Sequence, residues 1–508
     1  MRSPGKGFSL FTALWILACL LPGCATSRPS EPRPPAADPT VRITLIHLND
    51  VYEITPVEGG RSGGLERVAT LRRQLLERNP NTLTILAGDL LSPSAMGLAK
   101  VDGSRLAGRQ MVAVMNTLGL DLAIFGNHEF DLSEEAFRER LAESRFKWFS
   151  GNVSDAQGRP FPGVARYEIF TAENSSGHRV RIGFIGLTLV ANRPAFESYE
   201  DPIEVARRQV RELEDRVDVL VAVTHLPAEL DVALAESLPE LKIILGGHEH
   251  ENLRLHRGPG LTPIIKADAN ARSVYVHDLS YDTSTGELAI ESRFVPITDE
   301  IDDDPKTRRE IDDWVNAAFA GFRRSGFEPS QVVTRTTVAL DGRESRVRNQ
   351  PTHLTRLIAQ ALLHGAGDAD LAVYHSGSIR IDDVLPPGPV TQYDVIRILP
   401  FGGDYLTVEI RGELLRRTLD QGEANRGSGG YLQTAAVSKA PDGSWQIGGE
   451  PLDPERTYRA VVIDYLVSGR EKGLDFLNPD HPDLEIATSH GDIRLAVIAQ
   501  LKKAFGGS

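Results

Sequence analysis

Leu122-Ala-Ile-Phe-Gly-Asn-His-Glu-Phe-Asp131 is the stretch on which the fold class turns. Its apolar run is too short for a helix and stops at a glycine, as in a strand buried on both faces. The glycine permits a tight turn that aims the next side chains beyond the strand end. The same grammar recurs along the first half. Strands are expected over residues 42–48, 82–87, 122–125, 180–186, 217–224 and 241–245. All but the 180–186 strand run into polar ends, in order His47-Leu48-Asn49-Asp50-Val51-Tyr52, Gly88-Asp89, Gly126-Asn127-His128-Glu129, His225 and Gly246-Gly247-His248-Glu249-His250.

Helices are expected between them. Residues 65–78, 105–118 and 202–216 carry apolar side chains at helical spacing, with Pro80 and Gly119 as stops. Asp201-Pro202-Ile203-Glu204 reads as an N-cap, a proline at the first helical position and a capping-box-like glutamate. Alternating strands and helices argue a layered α/β domain. In such sheets ligands bind beyond the carboxyl ends of the strands. Carboxylates, an amide and imidazoles gathered there form a mixed oxygen and nitrogen donor set. It suits Zn, Mn, Fe or Co rather than Ca.

In that order, Asp50-x-Tyr52, Gly88-Asp89, Gly126-Asn127-His128-Glu129, His225 and Gly247-His248-x-His250 resemble the calcineurin-like metallophosphoesterases. The 125–131 phrase is similar to the 5′-nucleotidase branch, and the resemblance extends over residues 41–505. It implies an α/β chain whose N-terminal domain, residues 41–300, is a four-layer metallophosphoesterase β-sandwich flanked by helices. A connecting helix and linker, 301–330, would lead to a C-terminal α/β substrate-binding domain, 331–508. It also implies two divalent or trivalent metal ions bridged by Asp89. Asn127, His225 and His248 would complete one site, and Asp50 and His250 the other. His128 would contact the scissile phosphate and Asp131 would orient it. The implied activity is hydrolysis of nucleoside 5′-monophosphates or related nucleotides, with hydroxide generated between the metals attacking phosphorus.

Tyr52 departs from the pattern, since most relatives carry a histidine ligand there. A phenol ligates as its phenolate, and its solution pKa is about 10. Three outcomes stay open. Tyr52 binds a cation, it points away and leaves a weakened site, or Glu53 substitutes for it.

In the second half, Val373-Tyr-His-Ser-Gly-Ser-Ile-Arg380, Leu399-Pro-Phe-Gly-Gly403 and Val462-Ile-Asp-Tyr465 resemble the nucleotide-binding domain of the same family. The resemblance assigns substrate binding to Arg380, Phe401 and Tyr465. His375 and Glu471 stand where the family has Asn and Asp. Two aromatic faces around a base supply about 1–3 kcal/mol per stacked contact, and an arginine fork suits oxyanions. The altered positions keep a non-nucleotide phosphate ester open as the substrate, and Tyr52 alone keeps open a degenerate, non-catalytic family member as the alternative.

The chain has 508 residues and a formal charge of -14. Such an acidic balance excludes a nucleic acid polymer as the expected partner, because affinity for it comes from Lys and Arg on phosphates. Arg2 and Lys6 precede an apolar run from Phe8 to Leu21 that ends in Leu21-Pro22-Gly23-Cys24. This is signal-peptide grammar, and the ending resembles a bacterial lipobox with Cys24 as the lipidated residue. Residues 1–24 are thus expected to be a lipoprotein signal and the Pro-rich residues 25–40 a tether. The expected location is the bacterial cell envelope, lipid-anchored and facing the periplasm or the exterior. The only other cysteine, Cys19, lies inside the segment to be removed, so the mature chain has no disulfide.

Overall fold

A computed structural model describes residues 38–191 and 194–506. The expected lipidation site, Cys24, lies outside these residues. The Thr40–Leu48 strand explains the layering. Val41, Ile43 and Leu45 point into a core between two sheets, while Ile46 and Leu48 point the other way into a helix-covered core. Both faces are therefore apolar, as expected for a central strand. It pairs in parallel with Thr82–Ala87 and antiparallel with Ser273–Asp282. The full sheet runs Leu288–Pro296, Ser273–Asp282, Thr40–Leu48, Thr82–Ala87, Leu122–Ile124, Lys147–Trp148. A second sheet runs Leu253–Arg257, Thr262–Lys266, Leu241–Gly246, Val219–His225, Arg179–Thr188, Tyr167–Glu173.

The two sheets close on one another through Ile85, Ile124, Phe184, Val221, Val223 and Ile243. Helices Leu65–Arg78 and Arg109–Leu118 cover the first sheet. Helices Pro202–Leu213 and Ala228–Ser237 cover the second. This is the four-layer sandwich. The helix expected from residue 105 begins only at Arg109, because Gly108 before it is left-handed (φ 83°) and Ser104–Arg105 forms a short strand. Asp201 caps its helix as expected, accepting from the Ile203 and Glu204 amides at 2.9 and 3.0 Å. Glu204 does not complete a capping box; its carboxylate pairs with Arg207 at 2.6 Å.

The Pro305–Arg324 helix is capped by Asp304, which accepts from Thr307 N at 2.9 Å. Its buried Ile311, Ala318 and Phe322 face the Leu65–Arg78 and Arg109–Leu118 helices. It packs on the sandwich before the chain enters the second half. There a five-stranded sheet runs Leu432–Ala435, Leu371–His375, Thr457–Ile463, Asp404–Arg411, Leu484–Asp492. Helices His353–Ala366 and Ile493–Phe505 pack together beside it.

The halves meet through buried charges. Arg397 reaches Glu53 at 3.1 Å and Asp383 at 3.1 Å, and Tyr393 Oη donates to Glu53 at 3.4 Å. Paired charges of this kind are costly to break, because a lone survivor stays desolvated.

Candidate active site

Five of the six strands singled out in the sequence deliver their polar ends to one edge of the sandwich, and the chain is bent hard there. Asp50 (φ 52°), Asp89 (φ 59°), His248 (φ 86°) and His250 (φ 61°) all occupy the left-handed region. Non-glycine residues resist that conformation, and such strain gathers at functional sites. The glycines answer to close approach. A Cβ on Gly126 would stand 2.0 Å from Asp89 Oδ1, and one on Gly88 (φ 82°) 2.6 Å from His225 Nδ1.

Asp50, Asp89 and His250 offer ligand atoms that all lie within 4.8 Å of one another. His250 Nε2 is 3.3 Å from Asp50 Oδ1. His225 Nε2 is 3.3 Å from Asp89 Oδ2 and 3.9 Å from Asp50 Oδ1, without the alignment of a hydrogen bond. His248 lies edge-on to His225, ring centroids 5.3 Å apart, and its backbone N–H donates to Asp50 Oδ2 at 2.8 Å. Asn127 is buried at the turn after Leu122–Ile124, next to His128, whose backbone N–H donates to Asp89 Oδ1 at 2.9 Å.

Tyr52 is turned inward. Its Oη is 2.9 Å from Asp89 Oδ2, 3.2 Å from Asp50 Oδ1 and 3.1 Å from His250 Nε2. Burial, then the charges of Asp89 and Asp50, push this phenol well above its ordinary pKa. Glu53 takes no part in the cluster, contrary to one expectation, because Arg397 and Tyr393 hold its carboxylate at the interface between the halves.

Each imidazole facing the carboxylates has its other nitrogen engaged. His225 Nδ1 meets Ala87 O at 2.8 Å, and His250 Nδ1 meets Asp382 Oδ2 at 2.8 Å. Burial disfavours a charged His225, but Asp89 and Asp50 outweigh it and lift its pKa to about 9. Burial likewise opposes ionisation of Asp89, yet His225 and His128 hold its pKa well below the carboxylate range. A proton thus sits where two buried carboxylates call for positive charge. Carboxylates with imidazole Nε2 atoms facing them, and Nδ1 fixed by an acceptor, make the donor set of a transition-metal site. The residues fit a cation.

Beside the cluster, His128 Nδ1 lies 2.6 Å from Asp131 Oδ2, which also accepts from Ser92 Oγ at 3.3 Å. Glu129, quoted in the motif without a role, proves to hold the loops together. It accepts from the amides of Gly126 (2.5 Å), Leu90 (2.6 Å), Leu91 (3.1 Å) and Asp89 (3.1 Å). Burial and the nearby Asp89 raise its pKa to about 7.

A cavity of about 1230 Å³ runs from His128 and Asp131 to Arg380, Phe401, Tyr465, His375 and Glu471. Phe401 is 61% exposed and Tyr465 42%, so neither is core packing. His375 is buried, its ring centroid 5.0 Å from that of Tyr465 and its Nε2 3.9 Å from Glu471 Oε2. Burial, then Arg380, lowers its pKa to about 4, which keeps it neutral. Arg380 pairs with Glu344 at 3.3 Å and reaches His128 Nε2 at 3.3 Å.

Comparison with known proteins agrees with this architecture. Residues 43–252 match the calcineurin-like phosphoesterase family and residues 332–477 the 5′-nucleotidase C-terminal domain. The chain is therefore a metallophosphoesterase, an enzyme that hydrolyses phosphoric esters. It resembles the 5′-nucleotidase of Vibrio cholerae serotype O1, 28% identical over 88% of each chain. It likewise resembles Protein UshA of Yersinia enterocolitica, 28% identical over 85% of this chain and 86% of that one. The crystal structure of a 5′-nucleotidase precursor from Thermus thermophilus superposes with a TM-score of 0.73. It is 25% identical, over 91% of this chain and 97% of that one. With both domains matched in order, the chain belongs to the two-domain 5′-nucleotidase family.

Proposed function

We propose that this protein is an exported, lipid-anchored nucleotidase that hydrolyses nucleoside 5′-monophosphates or related nucleotides. One observation carries the substrate reading. The cavity of about 1230 Å³ has a histidine–carboxylate dyad at one end and two exposed aromatic side chains at the other. A nucleotide has the matching polarity, a phosphate at one end and a flat base at the other. The names of the relatives support the same substrate class.

Asp50, Asp89, Asn127, His225, His248 and His250 would hold two cations, with Asp89 between them. Bound there, Zn, Mn, Fe or Co would neutralise phosphoryl oxygens and lower the pKa of water. The chain's own groups do the rest. Asp131 fixes the His128 ring through Nδ1 and leaves Nε2 facing the cavity. Arg380 brings a guanidinium to the same spot, suited to phosphoryl oxygens. Phe401 and Tyr465 stack the base, with His375 and Glu471 shaping its edge. His128 also borders the smaller recess of about 400 Å³ that reaches Asp89, Asn127, His248 and His250. It is thus suited to act on the bond being cleaved.

The test is a substrate panel on protein loaded with each metal in turn. AMP is expected to exceed a sugar phosphate and nitrophenyl phosphate in kcat/KM. Equal turnover of AMP and the sugar phosphate would defeat the nucleotide reading. Loss of membrane association in Cys24→Ala is the corresponding test of the anchor.

A further inference from the structure

We infer that Lys266, no ligand itself, is the positioning residue that sets the separation of His225 and His248 and so the strength of the cation site they share. This rests on the metal-site reading above and deepens it.

Lys266 ends the Thr262–Lys266 strand, which carries no ligand. Its side chain is fully buried. It pairs in register with Gly246, and a Cβ on that glycine would stand 2.9 Å from Lys266 Cε. The ammonium reaches three pieces of chain. Nζ donates to Leu226 O at 2.6 Å, one residue after His225. It donates to Glu249 Oε1 at 3.3 Å, between His248 and His250. It lies 2.9 Å from Asp231 Oδ2, on the Ala228–Ser237 helix. Glu249 Oε1 also accepts from the Ala228 amide at 2.7 Å, which closes a ring from the His248 turn back to the His225 turn.

The two imidazoles need such a tie. Their strands are parallel neighbours, and Gly247 N still donates to Thr224 O at 2.8 Å. Beyond that bond one chain enters the Ala228–Ser237 helix and the other turns through residues 248–250. Lys266 and Glu249 join them again, and the rings stand with centroids 5.3 Å apart. The next residue extends the device to a third turn. Ala267 N donates to Asn49 Oδ1 at 2.8 Å, and Asn49 Nδ2 donates to Ala267 O at 3.1 Å and to Asp50 Oδ2 at 2.7 Å.

Packing alone does not call for a lysine here. A buried ion pair is costly to desolvate, and apolar side chains of similar volume are often as stable or more so. What the ammonium adds is direction, because it holds acceptors from three pieces of chain around one point. Cation affinity depends on ligand placement, and loss of a group that orients a ligand weakens binding about 10- to 100-fold.

The experiment uses the full chain, stripped with a chelator, then titrated with Zn(II) against a chelating dye and with Co(II) by visible absorption. Comparing wild type with His225→Asn identifies the binding step that needs the His225–His248 pair. Lys266→Met combined with Asp231→Leu replaces the ion pair by apolar side chains. This double variant should keep the circular dichroism spectrum and metal-free urea midpoint of wild type. It should bind at that step roughly tenfold more weakly or worse, with shifted Co(II) ligand-field bands. Glu249→Ala leaves Lys266 paired with Asp231 and should weaken the same step. Glu249→Gln retains an acceptor and should recover it. Wild-type affinity and an unmoved Co(II) spectrum in the double variant overturn the proposal. So does a loss confined to the urea midpoint. If the double variant does not fold, wild-type binding by Glu249→Ala overturns it instead. Wild type that binds neither metal defeats the metal-site reading and the positioning role with it. Wild type that binds, with variants that bind equally well, defeats the positioning role alone.

Discussion

Arg380 Nη2 lies 3.3 Å from His128 Nε2, although the two residues are 252 positions apart in the chain. A guanidinium has only donors, so His128 Nε2 must accept, and the proton on that ring sits on Nδ1 facing Asp131. The second half of the chain thus reads out the tautomer of a histidine in the first. A phosphoryl group entering between them meets a cationic fork on one side and an oriented imidazole on the other. Arg380→Ala should lower kcat/KM for a nucleotide roughly 10- to 100-fold, the worth of a charged hydrogen bond. Arg380→Lys should fall between the two, since charge survives and the fork does not. Unaltered steady-state kinetics in Arg380→Ala would refute the role.

Phe401 and Tyr465 expose large aromatic faces to the cavity. Each stacked base contact is worth about 1–3 kcal/mol. Phe401→Ala and Tyr465→Ala should each raise KM for AMP roughly 5- to 100-fold and leave nitrophenyl phosphate within about threefold. The ratio of the two substrates within each variant is the quantity to compare. A parallel loss on both would point to a distorted fold instead of a lost stacking face.

Asp382 was not foreseen from the sequence as part of the site. It accepts from His250 Nδ1 at 2.8 Å and from the Glu344 amide at 2.7 Å. A carboxylate in this position fixes a ligand ring and raises its basicity, and its loss typically weakens metal binding about 10- to 100-fold. Asp382→Asn should therefore reduce cation affinity by that factor, read by competition with a chelating dye. His128 and Asp131 chemistry should recover at saturating metal.

His47 and His277 form a stacked pair of imidazoles in the sandwich core, centroids 5.7 Å apart. Burial lowers His47 from 6.5 to about 4, and burial together with His47 holds His277 well below its usual value. The unfolded chain takes up protons at pH 6.5 that the folded chain refuses until about pH 4. Stability is therefore full above pH 6.5 and falls as pH drops towards 4, by about 3 kcal/mol for His47 alone. In chelator, the urea midpoint of wild type should fall between pH 7.5 and pH 5 more steeply than that of His47→Gln. That variant can still donate to Gly246 O, which His47 Nε2 meets at 3.0 Å.

Much of this was legible because strand ends are local. The residues after each apolar run could be read in order, and Leu65–Arg78 and Thr82–Ala87 appear with the bounds the pattern gives. Other features depend on distant partners. Nothing within a few residues of Asp382 announces His250, and nothing near Glu53 announces Arg397. Glu129 stood inside the motif, but four amides from two stretches of chain are needed to see what it does. The start of the Arg109–Leu118 helix was hidden by Gly108, whose backbone angle, not hydrophobic period, sets that boundary. The backbone of Tyr52 is anchored by Asn270 and its phenol by Asp89 and His250, all distant in the chain.

The left-handed backbone at Asp50, Asp89, His248 and His250 has a consequence for evolution and engineering. Each of these positions is one that glycine would adopt with less resistance, yet each carries a group with work to do. Glycine would relax the backbone at each, but at Asp50 it would orphan the His248 amide and at Asp89 the His128 amide. The strain is thus locked in by the same carboxylates that create the site, and thermal hardening of this chain has to come from elsewhere in the fold.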